Sequence, residues 1–254
     1  MKKFLSPIIV MLLAGATSLS AQDWQSWNSV GFDFSLGKKW TLETKELISL
    51  QPSDGWSVNF AQSSLGLHYR INRDFSVEAG DQLNVIPSSV RNVRNRVYAR
   101  GTYTWRFSEL LRSTHALQFE LHDNNEIRYD ARIIFINGIS TRNRYTPLNI
   151  RPSASYWLYY NIGGDPVQYY NTDGTHAVSQ SAIGFHRGRL YVTLNAALTD
   201  HIGVSAYFMH QQEFNLFTDD FHEINVVNPN TGNIARDFSN YNVFGLSLNF
   251  DIGN

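Results

Sequence analysis

Cysteine is absent from the 254 residues. Neither a disulfide framework nor a lipid-modified cysteine behind a leader is available, so the fold must hold by packing and hydrogen bonding alone. Lysine is almost as scarce: beyond Lys2 and Lys3 only Lys38, Lys39 and Lys45 occur. The net charge of −1 offers no basic excess of the kind that marks nucleic-acid binding. Past the N-terminus no apolar run approaches the ~20 residues that a membrane helix requires. If such a chain crosses a bilayer, it does so with strands. A mean hydropathy of −0.29 is compatible with that, because a spanning strand shows only alternate residues to lipid.

The opening MKKFLSPIIVMLLAGATSLSAQ places two lysines before a short apolar run, broken by Pro7 and Gly15, and ends in the small residues Ser18, Ser20 and Ala21. This is the layout of a secretory signal cleaved after residue 21, which leaves residues 22–254 as a single domain in an exported compartment.

Alternation of apolar and polar residues runs through that domain, the period of half-exposed strands. Val97, Ala99, Gly101, Tyr103, Trp105 and Phe107 share one face, while Arg96, Tyr98, Arg100, Thr102, Thr104 and Arg106 share the other. Leu117, Phe119 and Leu121 oppose Gln118, Glu120 and His122, and the last segment sets Phe244, Leu246, Leu248 and Phe250 against Gly245, Ser247 and Asn249. Short connections at 37–39, 71–74 and 199–201 alternate with long polar ones at 51–56, 87–95, 163–176 and 215–240. That pattern predicts an all-β, transmembrane, antiparallel up-and-down barrel of about 10–12 strands with long loops on one rim. Residues 123–150 are the least readable, with Ile127, Tyr129, Ala131, Ile133 and Phe135 reading as one strand. One conflict stands: with both ends in the periplasm, the first tight turn, at 37–39, falls on the rim where long loops belong.

A soluble β-sandwich or lipocalin-like barrel would show the same alternation with the apolar face inward. Trp24, Trp27, Trp40, Trp56, Trp157, Tyr159, Tyr160, Tyr169 and Tyr170 cluster at segment ends, as in interfacial girdles. The sixteen arginines favour crowded pairing with carboxylates over a water-bathed surface. These features assign the polar face to a lumen lined by Glu43, Arg70, Glu78, Arg96, Arg100, Arg106, Glu120 and His122. Arg128, Arg132 and Asp251 are further members of such a network.

Near the C-terminus, Gly245, Leu248 and Phe250 stand at a Gly-x-x-apolar-x-aromatic spacing that resembles the last-strand assembly signal of bacterial outer-membrane barrels. The resemblance implies insertion by the barrel-assembly machinery. Val243 stands where that signal takes a polar residue, and Asp251–Asn254 follow its terminal aromatic. The W-x-S-V-G-F segment at 27–32, K-K-W-T-L-E at 38–43 and SLGLHYRINRDFSVEAG at 64–80 together resemble an uncharacterised outer-membrane barrel family of Gram-negative bacteria, domain of unknown function 2490. The family implies an architecture and brings no established activity.

Catalytic signals are weak. No histidine is followed by serine at the i+2 spacing that puts both on one strand face. Ser179, three residues after His176, points the other way in a regular strand. Asp219, Asp220 and His222 form one acid–histidine cluster, which reads as water activation at a rim or as a solvated loop. No metal-ligand spacing and no cofactor motif is present. Arg91, Arg94, Arg142 and Arg144 are candidates for lipopolysaccharide phosphates. The sequence reads best as an outer-membrane barrel without enzymatic activity, either structural or permeable to small solutes. The alternatives are a barrel enzyme acting on lipid or peptide and a soluble periplasmic β-barrel that binds a ligand.

Overall fold

The computed structural model describes residues 23–52, 55–145, 149–219 and 221–253. The leader proposed at 1–21 lies outside them. The strands are β1 (Asp23–Ser35), β2 (Trp40–Gln51), β3 (Ser57–Arg70), β4 (Phe75–Val85), β5 (Val93–Trp105), β6 (Leu111–His122), β7 (Ala131–Thr141) and β8 (Arg151–Ile162). They continue with β9 (Val167–Tyr170), β10 (His176–Gln180), β11 (Gly184–Ala197), β12 (Ile202–Leu216) and β13 (Tyr241–Ile252). Eleven of them close a barrel in the order β1-β13-β12-β11-β8-β7-β6-β5-β4-β3-β2, and β9 and β10 form a separate hairpin.

Every seam of the wall is antiparallel except the closure. There β1 runs parallel to β13, from Asp23 opposite Tyr241 to Phe34 opposite Ile252. An odd strand number forces one parallel seam, and it departs from the even, fully antiparallel count usual in bacterial barrels. It also removes the conflict over the turn at 37–39. With an odd count β1 begins on the rim opposite the one where β13 ends, so this turn joins 71–74, 106–110, 142–150 and 198–201 on one short-turn rim. The connections at 52–56, 86–92, 123–130, 163–183 and 217–240 share the other rim.

Wall polarity is the reverse of a soluble sandwich. Along β5, Val97, Ala99, Gly101, Tyr103 and Trp105 are exposed, while Arg96, Tyr98, Arg100, Thr102 and Thr104 are partly or fully buried. Leu117, Phe244 and Leu246 are likewise 53 %, 60 % and 57 % exposed, whereas Glu120, between exposed Phe119 and Leu121, is 2 % exposed. The interior is not uniformly polar. Trp27, Met209 and Val243 form one inward apolar cluster, and Ile134, Ile136 and Tyr159 another.

Two sequence readings are corrected here. Ile127 and Tyr129 precede β7 rather than belonging to it; Tyr129 instead folds inward from the loop, where Arg132 donates to its hydroxyl. Trp27, Trp157 and Tyr159 face the lumen and not an outer girdle, since they share strand parity with Gln25, Ser155 and Asn161. Trp24 and Trp40 do face outward, stacked respectively on Phe244 and against Tyr69.

Candidate functional site

The lumen holds a cavity of about 620 Å³, lined by side chains from β1–β8 and β11–β13. Glu43, Glu78, Arg96, Arg100, Glu120 and His122 all contribute to its wall. Arg70 and Arg106 do not. Arg70 ends β3 and Arg106 opens the connection after β5, so each bends to backbone carbonyls at the rim: Arg70 donates to Lys38 O, and Arg106 donates to Arg73 O and pairs with Asp74.

Toward the long-loop rim the lumen is crossed by a continuous stack of alternating rings and guanidinium groups. Arg132 lies 5.2 Å from the Tyr129 ring and 4.9 Å from that of Tyr159; Arg189 lies 5.3 Å from Tyr159 and 5.5 Å from Trp27. Each such contact contributes on the order of 0.5–2 kcal/mol once water is excluded. Carboxylates and amides hold the cations in place. Glu120 accepts from Arg132 Nε at 3.0 Å and Nη2 at 2.5 Å, and from Gln118 Nε2 at 2.6 Å. Arg189 donates to Gln211 at 2.8 Å and to the Tyr241 hydroxyl at 3.2 Å. Arg187 forks onto one oxygen of Glu213 at 2.9 and 2.5 Å.

Nearer the middle, Glu78 Oε1 accepts from the Tyr98 hydroxyl at 2.5 Å and from Arg100 Nη2 at 2.8 Å. Tyr98 reaches that oxygen because Gly66 and Gly80 lie beneath it. A β-carbon on either would fall 2.8 or 2.7 Å from its hydroxyl oxygen.

Above the stack, the β9–β10 hairpin and residues 221–240 pack together on the long-loop rim. Gln180 is buried, accepts from the Tyr169 hydroxyl at 3.0 Å and donates to Arg236 O at 2.7 Å. Arg236 in turn donates to Asp165 O. Asn215, near the end of β12, clamps the segment from below: its Oδ1 accepts from Ile224 N and its Nδ2 donates to Ile224 O, both at 3.0 Å.

The other candidates separate. Arg91 and Arg94 lie on the long-loop rim, bonded to Asn124 O and Glu126, while Arg142 and Arg144 lie on the opposite rim. They therefore do not form one anion site. His176 Nε2 does reach Ser179 Oγ, at 2.9 Å, because the register shifts between His176 and Val178. Ser179 is buried, and no carboxylate or amide among the described residues orients the imidazole. His222 Nδ1 sits 2.6 Å from Asp219 in an exposed loop, and that hydrogen bond holds the Asp219 carboxyl below its usual range; Asp220 lies outside the described residues. No group of three or more metal-ligating side chains occurs among the described residues.

Arg187 and Arg189 escape a sequence reading made by short segments. Arg187 keeps the inward parity of Arg189, and it is Phe185 that falls out of phase, because the register shifts between Phe185 and Arg187. The signal that locates Arg189 is its parity with Tyr191, Thr193 and Asn195.

No curated protein matches the chain. A family model described as "Protein of unknown function (DUF2490)" matches residues 24–222, from the start of β1 through β12 and into the long-loop segment that follows it. With most of the barrel covered by that match, the chain belongs to the DUF2490 family.

Proposed function

We propose that this chain is an exported outer-membrane barrel whose polar lumen gives a narrow, loop-capped passage for small solutes. The observation that carries the reading is the inverted wall: leucine, valine and aromatic side chains outward, with Arg–Glu pairs and amides inward. In water this arrangement leaves an apolar belt exposed around the whole circumference, far beyond the few hundred Å² that soluble monomers show. In a bilayer the same belt meets hydrocarbon and no sheet edge is left open, since the sheet closes on itself.

On this reading the leader at 1–21 is removed during export, and the barrel-assembly machinery inserts the barrel. Outer-membrane lipid and lipopolysaccharide surround it. The lumen works by binding and sieving rather than by bond cleavage, because its charged groups pair with each other instead of forming a nucleophile–base–orienter set.

The test is fractionation followed by reconstitution of the purified full chain in planar bilayers. Recovery with the outer membrane and discrete conductance steps that change ion selectivity in Arg96→Gln and Arg100→Gln support the proposal. Recovery in the aqueous periplasmic fraction without detergent refutes the membrane setting. A silent bilayer, with lipid or peptide turnover lost in His222→Ala, refutes the passage in favour of an enzyme.

A further inference from the structure

The carboxylates deep in the lumen are paired, as Asp74 is with Arg106 at the short-turn rim; five other charges of the short-turn mouth are not. Asp33 on β1 stands directly beside Glu43 on β2 and Asp251 on β13, so three adjacent strands present carboxylates in one lateral row. In the closed order of the wall, β1 lies opposite β6 and β7. That far side carries Arg112 on β6 and Arg151 on β8, in register with the inward residues Gln118 and Trp157 of their own strands. All five residues lie within three positions of the short-turn end of their strand. Arg112 Nε donates to Ser140 Oγ, and Arg151 Nε is buried with no hydrogen-bond partner. None of the five is in an ion pair among the described residues, whereas Glu78, equally close to the short-turn end of β4, is joined to Arg100.

Unpaired charges of opposite sign on facing walls set up a field across the lumen. Within low-dielectric walls such a field acts on a solute more strongly than it would in bulk water. A solute carrying one charge is drawn to one wall and repelled by the other. One that carries both signs gains from both by turning its dipole across the mouth. We infer that the short-turn mouth is a selectivity site for small zwitterions of the amino-acid class, with the ammonium group toward Asp33, Glu43 and Asp251 and the carboxylate toward Arg112 and Arg151.

This rests on the passage reading above, and the experiment separates the two. Full-length protein in liposomes is assayed by swelling with three solutes of similar size: alanine (zwitterion), lactate (anion) and isopropylammonium (cation). The expected result is fastest entry of alanine, with its advantage falling roughly fivefold in either Asp33→Asn/Glu43→Gln or Arg112→Gln/Arg151→Gln. Arg112→Lys/Arg151→Lys, which keeps the charge, should keep the advantage. Heat-modifiable mobility on gels checks that each variant is folded. Swelling by all three solutes with ratios unchanged in the neutralised variants overturns the inference and leaves the passage intact. If nothing enters, the passage reading fails and alanine binding to the detergent-solubilised protein, followed calorimetrically, decides the site. Binding that weakens in both neutralised variants upholds the zwitterion site, and binding that is absent or unaffected overturns it.

Discussion

The ring of Tyr207 lies across Gly245 on the inner wall and fills the place that a β-carbon on Gly245 would take. Gly245 is also the glycine of the C-terminal spacing that resembles an assembly signal, so its absence of a side chain has two explanations that differ in outcome. If packing is the reason, Gly245→Ala forces Tyr207 off its rotamer and destabilises the folded barrel by about 1–3 kcal/mol, the range for overpacking. Adding Tyr207→Ala should then recover much of the loss. Chemical unfolding in lipid vesicles measures both. If instead Gly245→Ala lowers the amount of barrel inserted in cells, and Tyr207→Ala does not restore it, the glycine is being read by the assembly machinery.

Glu120 and Arg132 make the sharpest stability prediction. Both are almost wholly buried, and Glu120 also sits 3.9 Å from Arg96 and 3.4 Å from His122. Removing one partner strands the other charge in the lumen, at a cost of about 3–5 kcal/mol. Glu120→Gln and Arg132→Gln should each be strongly destabilised. The double variant should be less so than the sum, because a stranded charge is then absent. Additive losses in a double-mutant cycle would show that the two groups are independently solvated.

The packing of the long-loop segment hangs on Asn215. Its amide makes both backbone bonds to Ile224 and also lies 3.1 Å from His186 Nδ1. Asn215→Ala should leave the wall intact but release residues 217–240. Limited proteolysis then cuts near 227–233 at a protein-to-protease ratio that spares the wild type, and single-channel records become noisier. Equal protease resistance in both proteins would place the anchoring elsewhere, at Gln180 and Arg236.

Much of this architecture was legible in the sequence, and the illegible parts have specific causes. Period-two alternation carries wall polarity, so Arg96, Arg100 and Glu120 could be assigned to one face before any coordinates. Loop lengths carried the existence of two unlike rims. Strand parity is blind to partners, however. The stack through Tyr159, Arg189 and Trp27 joins β8, β11 and β1, which are brought together only by the closure. A large aromatic residue near a strand end reads equally well as a girdle or as lumen filling, and Trp27 and Tyr159 turned inward. Tyr129 reads as strand because an inward-folded loop residue mimics alternation. The mouth charges were individually visible, but the facing of Asp33 and Arg112 depends on the strand count.

What the outer wall touches can be measured directly at Leu117, which is 53 % exposed at the middle of β6. An arginine on the lipid face at the bilayer midplane costs about 2–4 kcal/mol, whereas the same substitution on a water-bathed strand costs little. Leu117→Arg should therefore lower stability in vesicles by an amount in that range. The opposite substitution is informative at Asp81, an outward carboxylate opposite Leu65 and Val97 whose Oδ1 has no hydrogen-bond partner. Asp81→Leu should stabilise the vesicle-embedded barrel, because it removes a polar group from hydrocarbon without breaking a bond. If Leu117→Arg is tolerated and Asp81→Leu gains nothing, the apolar belt faces something other than lipid, and a second protein surface over β4–β6 becomes the better account of it.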